Sequence, residues 1–179
     1  MIYVALLRGI NVGGNAKVEM AKLKASFESL GCADVVTYIN SGNVIFSDAR
    51  KPDALVPLIE KAIEHDFGLN IRVILRDQAN IQLLNQKIPA DWTNDSVQKT
   101  DVLFLWDEIN KPNILDKVII KPELERVLYL PGALVWNIGR ADVTRGGAIK
   151  LIKTSLYAHM TVRNINTVRK LNQLMSTEP

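Results

Sequence analysis

The sequence is poor in the residues that build covalent frameworks and metal centres. It holds one cysteine, Cys32, and two histidines, His65 and His159. A single cysteine excludes an internal disulfide scaffold, and without a Cys/His cluster at ligand spacing no metal site is expected. Aromatic residues make up only 6%, and Tyr3 and Phe46 are the sole candidates for a base-stacking surface of the kind that sheet-based single-strand binders use. No apolar run approaches the roughly 20 residues that cross a bilayer. The N-terminal run at residues 2–7 is too short for a signal peptide and precedes the first arginine. A cytoplasmic chain with no membrane partner is therefore expected. The scattered Asp and Glu residues yield no acid and base pair, so no catalytic residue can be assigned and enzymatic activity stays open.

What is present suffices for a core. With 179 residues and 47% hydrophobic content, one domain or two small ones can form. The net charge of +3 and a pI near 9.0 suit an anionic partner without requiring one.

Apolar patterning orders the first half. Residues 2–7 form a continuous apolar run and read as a strand buried on both faces. Met20, Leu23, Phe27 and Leu30 recur at helical spacing, and Gly31 is placed to end that helix in a left-handed cap. Residues 35–39 and 43–46 read as strands joined by the turn at Asn40, Ser41 and Gly42. Leu55, Leu58, Ile59, Ala62, Ile63 and Phe67 mark a second helix that Gly68 ends, with Pro57 expected in its first turn. Residues 71–75 close the unit as a fourth strand. This is the strand-helix-strand-strand-helix-strand order of a ferredoxin-like fold.

The second half, from a cap at Asp77, reads as helix, strand (102–106), short helix opening at Pro112, hairpin across Pro131-Gly132, and two helical stretches at 150–157 and 165–175. The fold class is thus α+β, with two packed ferredoxin-like subdomains built on antiparallel sheets. The first spans residues 1–76 and the second, of related topology, residues 77–179.

Right-handed crossovers set the first and third strands side by side and antiparallel. The loop at residues 8–17 and the turn at 40–43 then share one edge, beside the amide-rich N-terminus of the first helix. Arg8, Gly9, Asn11, Gly13, Gly14, Lys17, Asn40, Ser41 and Asn43 are the candidate binding residues. Glycines for unusual backbone, donors from Arg, Asn and Lys, and a helix N-terminus together suit a phosphate or carboxylate. A lysine this close to a helix start opposes the dipole, which a bound anion would offset. The loop lacks the lysine and hydroxyl of a Walker loop and the spacing of a dinucleotide fingerprint, so no cofactor is expected. Arg145, Lys150 and Arg163 form a second-choice anion site, while Asn164 reads as the cap of the last helix.

The run Tyr3-Val4-Ala5-Leu6-Leu7-Arg8-Gly9-Ile10-Asn11-Val12-Gly13-Gly14, with Met20-Ala21, Thr37-Tyr38-Ile39 and Ser41-Gly42-Asn43-Val44, resembles a bacterial family, domain of unknown function 1697. Thr161-Val162-Arg163-Asn164-Ile165-Asn166-Thr167 and Lys170-Leu171 extend the resemblance toward the C-terminus. It implies tandem ferredoxin-like subdomains and brings no activity. Ile165 departs from the pattern, which has tryptophan there. The sequence therefore ranks a small anionic ligand first, a nucleic-acid backbone second, and subunit association through a strand edge third.

Overall fold

The computed structural model describes residues 1–13 and 16–176 and divides into two units. One comprises Met1–Ala79 and the chain from Gln173 onward; the other is Asn80–Asn172. Each holds a four-stranded antiparallel sheet.

In the first unit the order is β1 (Ile2–Leu7), α1 (Met20–Ser29), β2 (Ala33–Tyr38), β3 (Asn43–Ser47), α2 (Pro52–Phe67) and β4 (Val73–Asp77), with sheet order β2-β3-β1-β4. The apolar run of β1 is buried on both faces from Tyr3 to Leu7. Tyr3, Ala5, Leu7, Val44, Phe46, Val73 and Leu75 meet Leu23 and Phe27 of α1 and Leu55, Ile59 and Ile63 of α2 in one core. Burying such side chains stabilises by about 1.5–3 kcal/mol each. Helix α1 ends as the sequence predicts. Gly31 lies at φ +83°, its N–H donates to Glu28 O (2.9 Å), and Cys32 N–H donates to Phe27 O (3.2 Å), the paired bonds of a Schellman cap.

Helix α2 departs from expectation in two ways. It begins at Pro52, so Pro57 lies beyond the first turn. Pro57 has no N–H for the Asp53 carbonyl, and the loss of that one bond is offset by the buried stripe of Leu55, Ile59 and Ile63. Leu58, expected in the stripe, is 40% exposed.

The sequence leads into the second unit through α3 (Gln78–Lys87), followed by β5 (Gln98–Leu105), a 3-10 segment at Pro112–Lys117, β6 (Glu125–Leu130), β7 (Ala133–Gly139), the short α4 (Ala148–Ile152) and a 3-10 segment at Ser155–His159. Then comes a strand that the sequence reading lacked: β8 (Met160–Asn164), paired antiparallel with β5 and leading directly into α5 (Ile165–Ser176). The sheet order β6-β7-β5-β8 repeats that of the first unit.

The repetition extends to single residues. Leu7 N–H donates to Gly42 O and Leu105 N–H donates to Gly132 O, both at 2.9 Å. Counting along each ladder from those bonds, Ala5 pairs Val44 and Leu75, as Leu103 pairs Leu134 and Val162. Tyr3 opposite Phe46 corresponds to Asp101 opposite Trp136, and Arg76 corresponds to Arg163. The cover does not repeat. Where the first unit bridges its third and fourth strands with the 16-residue α2, the second uses the five-residue α4 and a five-residue 3-10 segment.

Candidate functional site

β1 and β3 are antiparallel neighbours, and this places the loop after β1 against the turn before β3. Asn11 joins them. Its side-chain amide donates to Val18 O and to Asn40 O, each at 2.9 Å, and its Oδ1 accepts from Val18 N–H at 2.8 Å. Its own N–H donates to Ala16 O (3.1 Å), closing the loop across its mouth. Asn11 and Ala16 both sit in the left-handed region, at φ +54° and +49°. Asn tolerates that conformation through local hydrogen bonds, whereas for Ala it costs roughly 1–2 kcal/mol. Strain of this kind persists where surrounding bonds over-determine the backbone.

The hairpin turn is fixed by packing. A Cβ on Gly42, which lies at φ +77°, would stand 2.7 Å from Ile10 Cδ1 and 2.8 Å from Leu7 Cβ. Only glycine fits without displacing β1. Asn43 is fully buried and donates to Tyr38 O (2.9 Å) and Ser41 Oγ (3.1 Å). Asn43 and Ser41 thus close the hairpin.

Beside this brace lies an open cleft lined by Asn11, Lys17, Val18, Glu19, Met20, Ala21 and Asn40. Helix α1 starts there with no acidic residue in its first turn, and its N-cap, Glu19, makes no side-chain cap bond. Leu23 N–H is taken by Glu19 O (2.9 Å); the amides before it lie in the orphan first turn, where backbone donors point outward. Of the candidate residues, Asn11, Lys17 and Asn40 line the cleft. Gly9 and Gly13 are exposed, at φ +72° and +62°, and are not among its lining residues, and Arg8 N–H pairs with Arg72 O (3.2 Å). Gly14 lies outside the described residues.

The second-choice site does not assemble. Arg145 pairs with Asp142 (2.8 Å), and Lys150 is exposed on α4. Arg163 is buried on β8, where its Nη1 donates to Thr161 Oγ1 (3.1 Å) and Val162 O (2.8 Å). Burial lowers its pKa to about 10. Asn164 caps α5 as expected, accepting from Thr167 N–H at 2.9 Å.

The glycines near Arg145 do surround a carboxylate, but it belongs to this chain. Glu125, 3% exposed, accepts from Trp136 Nε1–H (2.8 Å), from Lys121 N–H (2.8 Å), and from Gly147 N–H with both oxygens (2.9 and 3.0 Å). A Cβ on Gly147 would fall 1.8 Å from Ile119 O. Nothing in the sequence marked Glu125, because its donors come from positions 121, 136 and 147 and meet only in the fold.

Two further polar clusters pair within themselves. Ser26 Oγ donates to Asp66 Oδ2 (2.5 Å), and His65 Nδ1 lies 2.8 Å from Asp66 Oδ1. The carboxylate sits between hydroxyl and imidazole, so the histidine cannot serve as the serine's base. These bonds, Ser26 first, hold the Asp66 carboxyl below its ordinary pKa. Cys32 is buried with its Sγ 3.6 Å from Asp48, which is itself paired to Arg50. Burial first, and Asp48 second, push the thiol up to about 11. Among the described residues no group of three or more His, Cys, Asp and Glu side chains is disposed to hold a metal, and no helix is long and apolar enough to cross a membrane.

The family model for a protein of unknown function, DUF1697, matches residues 1–136. The chain belongs to that family. Its DUF1697 segment includes the braced loop, the cleft and the second sheet as far as Trp136. The fold is similar to that of the conserved bacterial protein SP0830 from Streptococcus pneumoniae, with 28% identity, a TM-score of 0.84 and 98% of each chain covered. No curated protein matches the chain.

Proposed function

We propose that this DUF1697 protein binds a small anionic ligand, bearing a phosphate or carboxylate, in the cleft between the loop after β1 and the start of α1. The observation that carries this reading is the Asn11 brace, which holds a strained loop so that Lys17 and Asn40 line the same cleft as the first turn of α1. Backbone donors and a lysine then face one volume, and the helix dipole adds to their attraction for an anion. Glu19 lines that volume too, so it tunes affinity downward by like-charge repulsion. Glu19 is the one carboxylate among the residues lining the cleft, and the reading proposed is one of binding.

Base stacking and strand addition at β2 lack such support. Tyr3 and Phe46 are fully buried and packed on each other at 5.8 Å between ring centroids, so they offer no base a surface. The β2 edge is interrupted between Ala33 and Val36, with Asp34 at φ +53°. A broken edge is a poor template for strand addition.

The test is a thermal-shift series with inorganic phosphate, glycerol phosphate and citrate. A concentration-dependent rise that Lys17→Glu abolishes and Glu19→Gln enlarges is expected. A series in which neither variant differs from the parent chain would overturn the assignment.

A further inference from the structure

The second unit contains a cavity of about 390 Å³ between its sheet and α4. Its walls are Leu103, Trp136, Ile138, Val162 and Leu151 with neighbouring apolar side chains of α4 and the following 3-10 segment, and Lys99 and Asp101 stand on its sheet side. Comparison of the two units explains why space remains there. In the first, the ring of Tyr3 and the α2 stripe of Leu55, Ile59 and Ile63 fill the equivalent face. In the second, Asp101 occupies the Tyr3 position, and a cover of two five-residue segments replaces α2. A carboxylate beside apolar side chains needs a polar partner; Lys99 supplies one, and the partly exposed Asp101 keeps its charge at the cavity wall.

We infer that this cavity is a binding site for a small, neutral, mainly apolar molecule carrying one hydrogen-bond donor, which Asp101 receives. The volume falls in the roughly 300–1,000 Å³ range of small-molecule sites, whose walls are apolar with a few placed polar groups. Lys99 Nζ lies 2.8 Å from Asp101 Oδ2. The pair is neutral overall, so it offers a charged head group no net countercharge. The salt bridge holds one oxygen and leaves Asp101 Oδ1 to accept from a hydroxyl or N–H, while Trp136 and the aliphatic wall take the apolar body. Trp136 is held in turn by its Nε1–H bond to Glu125, so the cavity wall is rigid on that side. The site is separate from the loop cleft and does not depend on the anion reading.

The experiment uses the full chain with methyl-labelled Leu, Val and Ile, titrated with 4-propylphenol and with its methyl ether, which has no donor. Saturable shifts at Leu103, Leu151, Ile138 and Val162, with the phenol binding at least fivefold tighter than the ether, are expected. In Asp101→Leu the two probes should bind alike. Ala148→Phe, which grows into the cavity, should weaken both at least tenfold; Val143→Phe serves if that variant fails to fold. Absence of saturation, shifts spread over other apolar surface, equal affinity for phenol and ether, or undiminished binding to the filled variant would each overturn the inference.

Discussion

Replacing Glu125 by glutamine probes the second unit at its most demanding point. The carboxylate offers only acceptors to three donors, Lys121 N–H, Trp136 Nε1–H and Gly147 N–H, all within 3.0 Å. Glutamine presents one acceptor and one donor. If its oxygen keeps Lys121 and Gly147, its NH₂ faces the Trp136 N–H, and two donors oppose each other in a site only 3% exposed. A hydrogen bond to a charged group contributes about 1.5–3 kcal/mol, and a buried donor left unmade costs about 1–3 kcal/mol. Glu125→Gln should therefore destabilise the second unit by about 3 kcal/mol. Urea unfolding followed by tryptophan fluorescence measures this, because Trp136 itself reports the site and Trp92 and Trp106 lie in the same unit. The first unit contains no tryptophan, so the probe isolates the second. A loss below about 1 kcal/mol would refute the reasoning, since it would mean that the three bonds contribute no more than one exposed bond.

Other consequences follow from the same geometry. Gly42→Ala must adopt φ +77° and press a methyl within 2.8 Å of Ile10 and Leu7; strain of about 1–2 kcal/mol plus overpacking of about 1–3 kcal/mol should lower stability by about 2–5 kcal/mol in chemical denaturation. Cys32, with its thiol pushed up to about 11, should react with iodoacetamide at pH 8 on the order of a hundredfold more slowly than the unfolded chain, as mass spectrometry over time would show. Asp48 is held below the usual carboxylate range, first by its bonds to Arg50. Its folded pKa is depressed, so the stability it contributes is present above the unfolded value near 3.9 and is lost as pH falls below that. Acid titration of stability should show a weaker dependence below about pH 4 in Asp48→Asn.

Much of the first unit is legible in the sequence because its signals are local. The uninterrupted run of β1, the helical spacing of Leu23 and Phe27, and the glycine at position 31 each act within a few residues. They also place the loop against the hairpin turn once the crossovers are taken as right-handed. β8 was hidden because Thr161, Arg163 and Asn164 dilute its apolar content, and its burial comes from pairing with β5, some 60 residues away. Arg163 misled for the same reason: its burial depends on a strand that the pattern does not announce. Asn43 and Asn11 are both legible as polar residues of the edge, but only the fold separates the one that closes a turn from the one that joins two loops. The cavity is a difference between repeats, visible only after β5 is laid over β1 register by register.

The central claim is that the braced loop and the start of α1 receive an anion. Its most direct measurement is a two-dimensional amide spectrum of the protein during titration with inorganic phosphate at low salt. The account predicts saturable shifts at the amides of Lys17, Met20, Ala21 and Lys22, lost in Lys17→Glu. Shifts that are absent there, or that occur equally in that variant, would contradict it.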